Sequence, residues 1–579
     1  MERDDNYWLR ASRRRFLKGA GMTALGAAAI AAGACGGDSS SSSGGGKTPS
    51  AGGSPSAGGP KQTIPTLPEI SLAPDMKSIM SGTPVKGGIF NPVLGGGIPD
   101  QYDPPRDAGY PGLQVAGGCL SNLIRARYPI LGDLTIEPDL AEKWEQADNQ
   151  TVVFHIRPNA KWQNVAPVNG RALVAQDIKN AFDYWRTPQP DYVMAPMFSM
   201  IDRIDVPDAT TVKVHTSFPY APLILNLADI WAKIIPQEQF QGDLAKQKPV
   251  GSGPFIFDHF TNGVEYVLKR NPDYYISGHP YLDEIHWHVF DATNPNLAPA
   301  AFKSKQTDAG GAATIPLALD LIKATPDANW GWRYGVLNPL MFNNSVGTFK
   351  DERLRQAVMY AIDPDAIIKI QWQGFGQPGQ QIPLWYKDYR LADSELPKRD
   401  IAKAKQLLSA AGQPNLKVTD KTFQGGQLAF GTTQVQQALG EAGITMNIQQ
   451  MQWADWRVNV YGAKGDFEMT MGGEFDYLSL DRQLYNSYHS KGAGNNRHVN
   501  DPQLDKMLDD ARGIFDHAKS VTAYKAISKY ITDHAINIAL PNGTAPTGTQ
   551  PWVKGWFTQW SAGALLEMNH LDEVWIAPH

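Results

Sequence analysis

An α/β layer architecture is what the sequence predicts for the body of this chain, and three observations predict it. Segments of strand period and of helix period alternate through the second half. The helical segments are bounded by Asp at the start and Gly at the end. Once the first 82 of 579 residues are set aside as leader and tether, roughly 500 residues remain, enough for about three domain-sized units.

The chain opens with a basic segment containing Ser12-Arg13-Arg14-Arg15-Phe16-Leu17-Lys18, followed by an uncharged Ala/Gly run from Gly19 to Ala34. That run is shorter and less apolar than the ~20 residues a membrane-spanning helix needs. The order of basic region, apolar run and small-residue site is that of a secretory signal, and Ser12–Lys18 resembles the twin-arginine export motif. Ala32-Gly33-Ala34-Cys35 resembles a bacterial lipobox, with alanine where leucine is usual, so Cys35 is the expected lipidation site. Residues 1–35 are thus expected to be a signal peptide and 36–83 a disordered tether. Gly36 to Pro60 is almost all Gly, Ser, Pro and Ala, and cannot bury a core. About 25 such residues span roughly 25–30 Å root-mean-square, enough to hold a folded body off a membrane.

Further along, Thr151–Ile156 places Val152, Phe154 and Ile156 on one face, and Thr211–Thr216 alternates Val212 and Val214 with Lys213 and His215. Both patterns predict half-buried strands. Asn262-Gly263 between Phe255–Phe257 and Val264–Leu268 predicts a hairpin. Asp351 should cap a helix with Leu354, Val358 and Ile362 along one stripe. Asp400 should cap a second, ended by Gly412. Val435, Leu439 and Ala442 predict a helix ended by Gly443, with a strand after it, and Asp501-Pro502 opens another helix.

Composition excludes several function classes. The net charge is −5 with no concentrated basic patch, which excludes a nucleic-acid partner. Charged residues are only 19 % and tryptophans number 16, a surface suited to uncharged or mixed ligands. Of the two cysteines, Cys35 is committed to the leader, so Cys119 has no intrachain partner. There is no phosphate loop, nucleophile elbow, zincin helix or cysteine cluster. His286-Trp287-His288, with His279 nearby, is the most metal-like feature; both strand histidines should point to one side, but no third ligand stands at a fixed offset. No metal and no cofactor is expected.

Several stretches in order resemble the family 5 extracellular solute-binding proteins, the peptide- and nickel-binding group that feeds ABC importers. They are Glu137–Trp144 (EPDLAEKW), FHIRPNAKWQN, LVAQDIKNAFDYW, VGSGPFIF (Val250–Phe257), LKRNPDYYISGHPYLDEI (Leu268–Ile285), FKDERLRQAVMYAIDPDAII, AKAKQLLSAAG, EAGITMNIQQMQWADW and VNDPQLDKMLDDAR. The resemblance implies a two-lobed, type II periplasmic-binding-protein-like fold of the cluster with an extra subdomain, with a hinge and an interlobe cleft. Residues 84–118, 206–294 and 541–579 would form the first lobe, 119–205 a subdomain on it, and 295–540 the second lobe. It also implies a protein that binds a solute and performs no chemistry on it.

In peptide-binding relatives a carboxylate after a G-W-x-x-D-like stretch pairs with the ligand's amino end. Here the matching stretch is Gly472–Tyr477, with Asp476 in the carboxylate place and Gly473 where the tryptophan is expected. Asp476, Tyr477 and Glu474 are therefore candidate ligand contacts. Trp385 and Tyr386 in a proline-rich loop are candidate stacking walls, Asn343 a candidate amide donor, and Tyr102 a further candidate. The expected function is the binding component of an ABC importer: a monomer, lipid-anchored outside the cell, delivering a peptide or oligosaccharide-like solute to a permease and its ATPase. The alternatives are a secreted hydrolase working through a carboxylate pair in the same cleft, and a surface sensor that presents its closed form to a receptor.

Overall fold

The computed structural model describes residues 82–579, except 96–98, 100, 107–108, 128–133, 188–193, 241–243, 292–293, 313, 335–336, 424–430, 463, 473, 475–476 and 557–565. The expected signal peptide, Cys35 and most of the tether lie outside the described residues. Among those residues, no helix is long and apolar enough to cross a membrane.

Burial divides the molecule into two lobes. One core gathers side chains from Phe90 to Ala309, plus Leu478 and a return segment from Val553 to Val574. It is built on two four-stranded sheets. In the first, Ile89–Phe90 runs parallel to Glu284–His288, which continues antiparallel through Glu265–Arg270 and Phe255–Thr261. The second is an antiparallel sheet of Ala141–Asp148, Thr151–Ile156, Thr211–Thr216 and Ile201–Asp208. The predicted strands appear where alternation placed them, and the hairpin turns at Gly263 with φ +70°, a left-handed conformation that favours glycine.

The other lobe is centred on a five-stranded sheet ordered Thr445–Met451, Lys417–Phe423, Met469–Met471, Asn338–Phe342 and Asn537–Leu540. Its first two strands are parallel. The helix Thr432–Glu441 lies between them in sequence and serves as their crossover, as parallel pairing requires. Helices Glu352–Ala361, Ile401–Ala410 and Thr432–Glu441 cover the sheet through Leu354, Val358, Leu408, Val435 and Leu439. Their starts are set chemically. Asp351 accepts a hydrogen bond from the Arg353 amide, and Asp400 from that of Lys403. Asp501 accepts from those of Gln503 and Leu504 at the start of Pro502–Ala511.

One strand ties the lobes together. Asn537–Leu540 belongs to the five-stranded sheet, and directly after Pro541 the chain continues as Asn542–Thr549. That strand pairs with Ala309–Gly311 and Asn329–Tyr334, and Ala309 bridges in parallel to Pro92 beside the first lobe's sheet. A crossing of this kind is where a hinge can bend while both cores stay intact.

The motif Val250–Phe257 packs backbone against backbone. A Cβ on Gly253 would lie 2.5 Å from the carbonyl carbon of Cys119 and 2.7 Å from its oxygen, so the helix end Gly109–Cys119 would have to move. Gly253→Ala is expected to cost about 1–3 kcal/mol, read as a lower urea midpoint with an unchanged slope. Cys119 itself is fully buried and unpaired, and burial pushes its thiol up to about 12, which makes it unreactive at neutral pH.

Candidate functional site

The two cores meet along a seam, and the seam holds a small, partly open cavity. Ala221, Pro222 and Leu225 of the first lobe form one wall. Tyr386, Tyr389, Ser479, Leu480, Asp481, Ala511 and Tyr524 of the second lobe form much of the other.

Polar groups cross the seam beside it. Tyr220 donates its hydroxyl to an Asp481 carboxylate oxygen at 2.6 Å and accepts from the Asn226 amide at 3.0 Å. Arg512 lies 3.0 Å from the other Asp481 oxygen and stacks over Tyr485 at 3.9 Å and Tyr220 at 5.2 Å. The Ala221 amide donates to the Arg512 carbonyl. Asp481 is positioned by its helix, Leu480–Tyr488, whose N-cap Ser479 accepts from the Arg482 amide. Burial raises the Asp481 pKa above the ordinary carboxylate range against the lowering influence of Arg512 and Tyr220, and burial also drives the Tyr220 hydroxyl upward. A second crossing joins Asp229 of the first lobe to the Leu478 amide at 3.1 Å.

The residues singled out from sequence fall at several places. Tyr386 lines the cavity and donates its hydroxyl to the Leu478 carbonyl. Trp385 sits beside it, half-buried against the second lobe's helical core. Tyr477 is half-buried, and the Arg482 guanidinium lies 3.8 Å over its ring. Glu474 pairs with the fully buried Arg497 and bridges Leu337. Asn343 ends its strand with the amide oxygen accepting from the Ser345 amide and hydroxyl and from the Val346 amide, so that oxygen serves a local turn. Tyr102 is buried in the first core 6.1 Å from Phe257. Asp476 lies outside the described residues. The structure therefore brings Tyr386, Trp385 and Tyr477 to the seam around Leu478. Asp481, Arg482, Arg512 and Tyr220 were missed by sequence reasoning; the adjacent Asp-Arg pair soon after the Gly472–Tyr477 stretch was the available signal.

The histidines hold separate partners. His286 is shared by Glu265 at 3.1 Å and Glu284 at 2.7 Å, His288 faces Asn91, and His279 contacts Asp572. Glu137, His570 and Glu573 do converge closely enough for a metal. The Arg127 guanidinium already spans them, at 2.7 Å from Glu137 and 3.0 Å from the His570 ring, so their charge is met by a side chain.

The model of the bacterial extracellular solute-binding proteins, family 5, matches residues 135–495, more than half of the chain. The chain belongs to that family. Relatives of this solute-binding protein include di/tripeptide-binding protein 1 of Pseudomonas aeruginosa, 26 % identical over 68 % of this chain and 78 % of the relative. Heme-binding protein A of Haemophilus influenzae is also 26 % identical, over 73 % of this chain and 82 % of the relative. Among solved structures, AgaA from A. tumefaciens R10 in complex with agropinic acid shares 27 % identity. It superposes with a TM-score of 0.72 over 85 % of this chain and 99 % of that one. DppA from Helicobacter pylori with the peptide STSA, at 22 % identity and a TM-score of 0.74 over 85 % and 99 %, shows the same two-lobed α/β fold.

Proposed function

We propose that this solute-binding protein is the substrate-binding component of an ABC importer, capturing a peptide or a comparably sized organic solute at the seam between its lobes. The observation that carries this reading is the cavity walled by both lobes, with polar groups that meet only when the lobes meet. A ligand touching both walls favours the closed arrangement and shifts the population toward it. The closed surface is then what a membrane permease recognises. Tyr386, Trp385 and Tyr477 supply aromatic walls, and Asp476 is placed by sequence to meet a ligand amine. The solute leaves chemically unchanged. The relatives named for peptides and the neighbour holding agropinic acid support this range of solutes. The leader motif and Cys35 support twin-arginine export followed by lipid anchoring at the outer face of the membrane, with the body acting as a monomer.

The test is thermal melting of the mature chain against a library of peptides, opines and oligosaccharides. A specific solute at 100 times its Kd is expected to stabilise by about 2.7 kcal/mol. A flat response across all three classes contradicts the proposal.

A further inference from the structure

Buried phenols in this protein find partners. Tyr220 donates to Asp481, Tyr275 to Asp139, Tyr386 to the Leu478 carbonyl and Tyr488 to Gln381. Tyr524 is different. It lines the seam cavity, it is 5 % exposed, and its hydroxyl has no hydrogen-bond partner among the described residues. Leaving a buried hydroxyl without a partner is costly, so the exception needs a cause. Helix His517–Asp533 turns Ser520, Tyr524, Ile527 and Ile531 onto its buried face, and the Tyr524 ring packs edge-on against Tyr389 with centroids 6.1 Å apart. Burial first, and then the Asp481 carboxylate, drive the Tyr524 pKa well upward, so the hydroxyl stays protonated.

The other polar groups of the cavity wall are engaged. Asp481 accepts from Tyr220 and faces Arg512 at 3.0 Å. The Ser479 hydroxyl accepts from the Arg482 amide, and Ser520 accepts from the Tyr389 hydroxyl at 3.4 Å. The wall from the first lobe, Ala221, Pro222 and Leu225, carries no polar side chain. A group entering the cavity therefore meets apolar contacts on one side, a phenol on the other and no unpaired charge. A charged group would give up its hydration with no counter-ion in return. A purely apolar group would leave the phenol without a partner. A short neutral group ending in a hydroxyl suits both walls, because a phenol can donate and accept.

We propose that Tyr524 is a specificity-determining residue of this binding protein: the seam cavity takes a short, uncharged, hydroxyl-bearing side group of the captured solute, and the Tyr524 hydroxyl forms a hydrogen bond with it. This rests on the capture reading above and narrows its solute class to molecules that present a hydroxymethyl-sized group, as a serine residue does.

The experiment uses the mature chain with trialanine in which each position in turn is replaced by serine, 2-aminobutyrate, aspartate or lysine. Serine and 2-aminobutyrate differ by a hydroxyl in place of a methyl group. Calorimetry on the wild type should show one position at which serine binds about three- to tenfold tighter than 2-aminobutyrate. Aspartate and lysine at that position should bind at least about thirtyfold more weakly than serine. Tyr524→Phe should bind the serine and 2-aminobutyrate peptides alike. The wild-type comparison needs no variant, so a failure of Tyr524→Phe to fold does not remove the test. Equal affinity of the wild type for serine and 2-aminobutyrate at every position overturns the Tyr524 assignment while leaving peptide capture standing. So does a serine preference that survives in Tyr524→Phe, or aspartate or lysine bound as tightly as serine at the preferred position. If none of the tripeptides binds, the assignment and peptide capture fall together.

Discussion

Arg512→Met is expected to weaken solute binding far more than it weakens either lobe. Arg512 supplies the cation beside Asp481, a carboxylate buried where the lobes meet. Removing one partner of a buried ion pair costs about 3–5 kcal/mol, because the other charge is left without compensation. In an open form Asp481 can regain water, so the penalty falls mainly on the closed arrangement that holds the ligand. Tyr220→Phe isolates the crossing itself. It removes a single hydroxyl donating to Asp481 and leaves the Asp481–Arg512 pair within the second lobe. A hydrogen bond to a charged group contributes about 1.5–3 kcal/mol, so affinity should fall roughly ten- to a hundredfold. Calorimetric Kd for the solute, set beside the ligand-free melting temperature, separates the two effects. A Tyr220→Phe protein that binds normally contradicts a role for this contact in closure.

Arg497→Met is expected to produce the largest loss of stability. Arg497 is fully buried, pairs with Glu474, donates to Asn496 and Asn537, and lies 5.0 Å over the Tyr488 ring. Glu474 is 7 % exposed, so losing the guanidinium strands a carboxylate inside the second lobe, at a cost of about 3–5 kcal/mol. The change should appear as a lower urea midpoint. Adding Glu474→Gln to Arg497→Met should recover part of the loss, since a neutral amide is cheaper to bury than an unpaired charge. If the double variant is no more stable than Arg497→Met, the pair is not the source of the loss. Glu474, which the sequence offered as a ligand contact, pairs in this structure with the buried Arg497.

What could be read from the sequence was what is local. Asp351, Asp400 and Asp501 announce helix starts because a cap needs only its own next three amides. Val152, Phe154 and Ile156 announce a strand because alternation is written in neighbouring residues. The crossing strand Asn542–Thr549 is not legible in this way. Two of its partners, Ala309–Gly311 and Asn329–Tyr334, lie more than 200 residues upstream, and its own sequence is a polar, glycine-containing run. The site divides along the same line. Tyr386 and Tyr477 were found through loop composition and a family stretch. The contacts of Arg482 were not, because its side chain meets Met197 and Met194, 285 and 288 residues away. Asn343 was offered as an amide donor after an apolar strand, a reading of its Nδ2 group. Its oxygen is taken by Ser345 and Val346, a contact that depends on how the chain turns after the strand.

The central claim is reversible capture of an unaltered solute between two lobes. The most direct test is equilibrium dialysis of the mature protein with the best-stabilising solute, followed by mass spectrometry of everything recovered. One equivalent of intact solute per chain and full recovery of the starting mass are expected. Accumulation of a cleaved or modified product beyond one equivalent per chain would contradict it.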